Sequence, residues 1–328
     1  MTPKCDQWRK IQGMTRYIYI IFSLLMTVIS PSHGNPLPDW LDRTQYPFEP
    51  QSFQTSVGQM NYIDEGDGEV ILFIHGNPSW SFEYRHLIKA LSSSYRVIAP
   101  DHIGFGLSDK PVDWHYRPQG HAQHLSELIS HLDLKNITMV INDWGGPIGL
   151  SYALKNPGNV ARLVVTNSWF WPVNKDWYYQ GFSRFMGGPI GRWLVKRHHF
   201  FAKNIVKMAF GDPKKLSQVA HDHYILPLGQ VQDRKGCWVF PKQIIASTDW
   251  LSQLWGQRDR LSGTPTLILW GMKDIAFRPK ELRQWIELFP NATIHRYDQV
   301  GHFVAEEAPT QMAQDLRLFL LDTARPLD

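Results

Sequence analysis

From Phe53 onward the chain alternates short apolar runs with longer stretches of helical period. Met60 to Ile63 and Val70 to Ile74 flank the turn Glu65-Gly66-Asp67-Gly68, which reads as a hairpin-like connection. Beyond it, Tyr95–Ala99 reads as strand, His121–Leu132 as helix, Ile137–Ile141 as strand, Gly149–Lys155 as helix and Arg162–Thr166 as strand. The alternation resumes late in the chain with Pro265–Trp270 as strand, Lys280–Leu288 as helix, Ala292–Tyr297 as strand and Gln311–Leu321 as helix. Such interleaving predicts an α/β fold in which helices cover both faces of a mostly parallel sheet.

Between the two series lies an interruption, residues 168–262, crowded with aromatics such as Trp169, Phe170, Trp171, Trp177, Phe182 and Phe185. It reads as several short helices inserted between two strands. Leaving from the carboxyl edge of the sheet, such an insert sits over the crevice where ligands bind, so the expectation is a cap. The core is then split into residues 35–167 and 263–328. Residues 35–56, rich in proline and aromatics, are expected as an extended arm on that core.

At the N-terminus, Arg9, Lys10 and Arg16 precede an apolar run, Tyr17–Ile29, that is short for a spanning helix, which needs roughly 20 residues. Small residues follow in Ser30-Pro31-Ser32-His33-Gly34, the layout of a cleavable signal peptide over residues 1–34. The expectation is a secreted or periplasmic protein, with a membrane anchor as the other reading and Met14 as a second candidate start.

Composition narrows the chemistry further. The chain has 328 residues, 43% hydrophobic and 20% charged, enough for one large core. Of the net charge of +4, residues 1–34 hold +3, so no basic stripe remains to suggest nucleic acid. The 14 histidines lack metal-ligand spacing, and no metal or cofactor is expected. Cys5 and Cys237 stand far apart and predict no disulfide framework; Cys237 reads as a buried small hydrophobe.

The most informative stretch is Val140-Ile141-Asn142-Asp143-Trp144-Gly145-Gly146-Pro147, an apolar strand entering two glycines and a helix. A residue at such a turn projects into the open end of a parallel sheet beside the first N–H groups of the next helix. Nucleophiles sit in that position, and here it holds Asp143, although a helix N-cap is the plain reading of the same residue. Three other strand ends deliver His75-Gly76-Asn77-Pro78, Gly271-Met272-Lys273-Asp274 and Val300-Gly301-His302-Phe303 to the same edge. Asp143, Asp274 and His302 thus follow the chain order nucleophile, acid, histidine.

Those motifs, with Asp101-His102-Ile103-Gly104-Phe105-Gly106-Leu107-Ser108-Asp109 and the cap feature His223-Tyr224 before Pro227, resemble the haloalkane dehalogenases over about residues 36–325. The resemblance implies an α/β-hydrolase core, with a mostly parallel eight-stranded sheet, and an inserted helical cap. It implies Asp143 as nucleophile, His302 as base and Asp274 as its acid. Asn77 and Trp144 become the halide donors through their side chains and the oxyanion hole through their backbone N–H groups. Where some members carry a glutamate after the strand at Arg162–Thr166, this chain has Asn167-Ser168-Trp169, so Asp274 takes the role. That pairing is similar to the family's third subgroup. The implied partners are a halogenated alkane and water, with homo-oligomerisation left open.

Elementary chemistry agrees with that assignment. A carboxylate with an ordinary pKa of about 3.9 is ionised at neutral pH and attacks an sp³ carbon without a base. A departing halide needs no proton, only donors aimed at its growing charge. Two rival readings share the scaffold. An epoxide hydrolase needs acidic phenols on the cap, and Tyr178, Tyr179 and Tyr224 are present there. A non-catalytic binding protein on a hydrolase fold needs no intact site, whereas all five groups are retained. His75 and Asp101 are expected to hold loops, while Trp169, Phe170, Phe277 and Phe303 are candidates for pocket lining.

Overall fold

The computed structural model describes residues 37–324; the leader expected over residues 1–34 lies outside them. Eight strands form one sheet: β1 (Gln51–Gln54), β2 (Gln59–Glu65), β3 (Val70–Ile74), β4 (Arg96–Pro100), β5 (Ile137–Asp143), β6 (Val160–Ser168), β7 (Thr266–Gly271) and β8 (Thr293–Tyr297). Their spatial order is β1-β2-β4-β3-β5-β6-β7-β8. The first two pairings, β1 with β2 and β2 with β4, are antiparallel, and all the others are parallel.

The pairing corrects one expectation. β2 and β3 do not form a hairpin, because β4 lies between them, pairing Ile63 with Ala99 on one side and Leu72 with Ile98 on the other. The turn at Gly66 and Gly68 makes a crossover instead, with both glycines at positive φ (78° and 104°). A Cβ on Gly66 would lie 2.1 Å from the carbonyl oxygen of Ser92, so the turn is locked onto the loop leading into β4. The chain reaches β4 through a helix, α1 (Arg85–Leu91), that the apolar pattern does not single out.

α2 (Pro118–His131) and α3 (Gly145–Lys155) pack together, as do α1 and the last helix, α10 (Pro309–Asp322). β3 shows why both layers are needed: all five of its residues are buried. Val70, Leu72 and Ile74 join a cluster with Leu125, Leu128 and Ile148 of α2 and α3. Phe73 points the other way and stacks on Tyr84 at 4.7 Å, as the two-residue period of a strand requires.

The insert carries α4 (Trp177–Met186), α5 (Pro189–His198), a π-turn at Phe201–Ile205 running into Val206–Ala209, α6 (Gln218–Ile225) and α7 (Lys235–Ala246). A final helix, α8 (Thr248–Trp255), packs on α3, so this end of the expected cap belongs to the flank of the sheet. α9 (Pro279–Leu288) follows β7. The arm runs without regular structure to Pro50, burying Leu41, Tyr46 and Phe48. The Asp42 N–H donates to His223 Nε2 (3.1 Å), which ties the arm to the cap. Cys237 is buried and free, and burial pushes its thiol up to about 12.

Candidate active site

Asp143 ends β5 with φ +47°, a left-handed conformation that a non-glycine residue adopts at a cost. Close packing enforces it. A Cβ on Gly76 would fall 2.3 Å from Asp143 Oδ1, and one on Gly145 would fall 2.0 Å from the carbonyl oxygen of Ile74. Glycine at those two points lets β3, β5 and the start of α3 converge. Asp143 Oδ1 accepts the backbone N–H of Asn77 at 3.0 Å, and Ser168 Oγ donates to the Asp143 carbonyl at 2.6 Å. Burial raises the Asp143 pKa, opposed by His302 and by the backbone N–H groups of Asn77 and Trp144.

His302 follows β8 and is itself buried. Its Nδ1 donates to Asp274 Oδ2 at 2.8 Å, while its Nε2 stands 3.9 Å from Asp143 Oδ2. Burial alone would lower its pKa, but the Asp274 carboxylate and its hydrogen bond, with Asp143 behind them, bring it up to about 9. Phe277 stacks on the imidazole at 5.7 Å, and the His302 N–H donates to Ala209 O in the cap (2.8 Å). The five expected residues therefore meet: Asn77, Asp143, Trp144 and His302 line one cavity of about 360 Å³, with Asp274 directly behind the histidine.

That cavity is walled by cap aromatics and aliphatics, among them Phe182, Met186, Phe201 and Ile244. Of the four lining candidates, Trp169, Phe277 and Phe303 face it. Phe170 does not; it packs against Trp255 (5.2 Å) and Trp285 (5.3 Å), an aromatic spent on joining the insert to the core. Tyr178 and Tyr179 line the cavity, but their hydroxyls donate to the carbonyls of Ile275 and Ala276. The Tyr224 hydroxyl donates to Glu306 Oε1 at 2.6 Å. Asp101 and His75 hold loops as expected: Asp101 accepts from the N–H groups of Ser81 and Leu107 (both 2.8 Å), and His75 Nε2 from that of His102 (2.9 Å).

Three residues near the site escape sequence reasoning. The Asn167 amide donates to Asp274 Oδ2 (2.9 Å) and to Gly271 O (2.9 Å), while its oxygen accepts the Gly271 N–H (2.7 Å). Its one signal is an amide at the strand end where related sequences carry an acid. Glu307 accepts from the N–H groups of Gly211 (2.9 Å) and Gly301 (2.8 Å), tying the cap to the loop that carries His302. Glu83, fully buried in the 3-10 turn Ser81–Tyr84, accepts from the Ser79 hydroxyl, and burial pushes its pKa up to about 8. A carboxyl flanked by Phe82 and Tyr84, with Trp80 three residues before it, was its signal. Among the described residues no group of three or more His, Cys, Asp or Glu is placed to hold a metal ion.

The sheet order, the elbow at Asp143 and the histidine after the last strand define an α/β hydrolase, and the model of the alpha/beta hydrolase fold matches residues 69–309. Within that class the chain belongs to the haloalkane dehalogenase family. It is 37% identical over 274 residues to haloalkane dehalogenase 2 of Mycobacterium tuberculosis, covering 83% of this chain and 95% of the relative. The crystal structure of a haloalkane dehalogenase from Agrobacterium tumefaciens superposes with a TM-score of 0.76 at 26% identity, covering 84% of this chain and 97% of that one. The chain is also 31% identical over 295 residues to a cis-3-alkyl-4-alkyloxetan-2-one decarboxylase of Shewanella oneidensis, covering 85% of this chain and 91% of the relative.

Proposed function

We propose that the protein hydrolyses haloalkanes to alcohol, halide and a proton through a covalent ester on Asp143. The observation that carries this reading is the division of labour on the Asp143 carboxylate. Oδ1 is held by the Asn77 N–H, whereas Oδ2 is the oxygen nearer the imidazole, too far from it for a hydrogen bond. Oδ2 attacks the halogen-bearing carbon and the C–X bond breaks, with the Asn77 amide and Trp144 indole receiving the halide. Water on His302 Nε2 then attacks the ester carbonyl. The imidazole takes its proton, Asp274 holds the imidazolium, and the N–H groups on the Oδ1 side steady the oxyanion. Collapse releases the alcohol and restores Asp143.

Water thus ends up in the enzyme, not in the product. In a single turnover in heavy-oxygen water the label should enter Asp143 and leave the alcohol unlabelled; label in the alcohol alone would overturn the covalent route. Epoxide opening is disfavoured because the phenols of Tyr178, Tyr179 and Tyr224 already donate elsewhere. A binding protein without activity would have no need of a strained Asp143.

The likeness to the Shewanella oneidensis decarboxylase favours a second reading of the same carboxylate. Oδ2 attacks C4 of a 3,4-dialkyl oxetanone, breaking C4–O and freeing a ring carboxylate. Loss of carbon dioxide then forms the C3–C4 double bond and expels Asp143 unchanged, with no water consumed. Olefin rather than halide and alcohol from substrate panels would select this reading. We also propose that residues 1–34 act as an export leader or anchor, on the pattern of basic residues, a short apolar run and small residues, which would put the enzyme outside the cytoplasm or at a membrane.

A further inference from the structure

The insert differs in charge from the rest of the protein. Residues 168–262 contain fourteen lysines and arginines against six aspartates and no glutamate, and from residue 177 to 211 six basic residues stand without one acid. This same stretch forms the outer wall of the cavity. Phe185 and Met208, with Ile275 from the loop after β7, both line the cavity and are exposed, which makes them its rim.

Further large apolar side chains are exposed on α4, which carries Phe185, and on α5, which packs against it. On α4, Trp177, Gly181 and Phe185 follow one another at four-residue spacing along one face, with Trp177 79% exposed. On α5, Ile190 (62%) and Trp193 (56%) stand out beside exposed Arg192 and Arg197. In the π-turn and the turn after it, exposed Lys203, Lys207 and Met208 alternate with the lining residues Phe201, Ile205 and Val206. Soluble proteins rarely expose several large apolar side chains together, and Trp interleaved with Lys and Arg is the composition of surfaces that lie in a membrane interface.

We propose that this face of the cap docks on an anionic lipid bilayer, with the cavity mouth turned toward the lipid. The basic side chains answer the headgroup charge, and the aromatic and aliphatic tips enter the boundary with the acyl chains. A second copy of the chain also offers acidic surface, but seated here it would seal the mouth. A bilayer instead supplies apolar molecules to an apolar cavity. The surface rests on exposure and charge, and stands apart from the chemistry proposed for Asp143.

Gly181 gives a local reporter, because nothing lies within 4 Å of a Cβ built there. In the full chain with Cys5→Ser, a polarity-sensitive dye on Gly181→Cys should turn brighter and bluer on vesicles of equal parts phosphatidylglycerol and phosphatidylcholine. Lys203→Gln with Lys207→Gln should raise the lipid needed for half the change by roughly thirtyfold, as two lysines near a charged surface imply. Trp193→Ser should raise it as well. An unchanged dye signal overturns the proposal, and so does an equal response to pure phosphatidylcholine or indifference to all three substitutions. A lipid-independent change that follows protein concentration assigns the face to a second copy instead. The leader is common to every variant, so association through it alone leaves the dye at residue 181 silent.

Discussion

Asn167 and His302 meet on one oxygen of Asp274: Oδ2 accepts both the Asn167 amide at 2.9 Å and His302 Nδ1 at 2.8 Å. The other oxygen, Oδ1, accepts the Ala276 N–H at 2.6 Å. Together these donors fix the plane of the buried carboxylate. Asn167 in turn is pinned by both backbone groups of Gly271, so the end of β6 holds the end of β7 in register with the site.

Replacing Asn167 with Leu should leave the Gly271 N–H and C=O unpaired and take a donor from Asp274. The expected loss of stability is about 2 to 4 kcal/mol, read by denaturant unfolding. Asn167→Asp separates positioning from folding. A second carboxylate beside Asp274 adds negative charge near the imidazole, so the ascending limb of the pH–rate profile, where the imidazole loses its proton, should move to higher pH. A profile that stays in place while only stability falls would reduce Asn167 to a structural bridge.

His302→Phe should keep the first half-reaction and lose the second. The Asn77 and Trp144 N–H groups that favour the Asp143 carboxylate remain in this variant, so incubation with a bromoalkane should add one alkyl group to the protein by intact mass, placed on Asp143 by peptide mapping. Turnover should fall by at least about 100-fold, the lower bound of what a positioned base contributes. Unmodified protein after incubation with a haloalkane that the native enzyme consumes would mean that His302 acts before the carbon is attacked.

The order of motifs along the chain made the candidate constellation legible, because each expected residue sits at or just past the end of a strand in a parallel sheet and such ends converge on one edge. Asp143, Asp274 and His302 are of this kind. The hairpin between β2 and β3 was misread because a turn sequence fixes a local reversal of the chain but not which strand fills the gap; β4 fills it. Asn167, Glu83 and Glu307 escaped for a related reason. Their partners lie at Asp274, Ser79 and Gly211, and two of those three contacts span about 90 residues or more. Phe170 shows the same limit, since an aromatic in the insert serves cavity or packing according to neighbours that only the fold brings near.

The pH dependence of ester hydrolysis should differ from the titration of the resting enzyme. Burial lowers the His302 pKa, while Asp274 and the Asp143 charge raise it, to about 9 overall. Alkylation neutralises Asp143 and removes that contribution, so His302 becomes a free base at lower pH when the ester is present. Because the base must be neutral, single-turnover hydrolysis should rise with pH and level off below about 9. Imidazole titration by NMR in the unreacted enzyme should give the higher midpoint. Coincident midpoints would show that Asp143 is not the alkylated group.

Glu83 sets a separate pH dependence, on stability. Burial raises its pKa from the ordinary carboxylate range to about 8, opposed by the Ser79 hydroxyl and by His302. A carboxyl whose folded pKa is raised is protonated in the fold, so its contribution is complete below its unfolded pKa of about 4.3 and declines as pH rises to about 8. Glu83→Gln mimics the protonated form and should remove the decline. Native and variant proteins should melt alike near pH 4 to 5 and diverge toward pH 8, the variant melting higher. A difference that is constant across that range would show that Glu83 is ionised throughout and is held by partners stronger than Ser79.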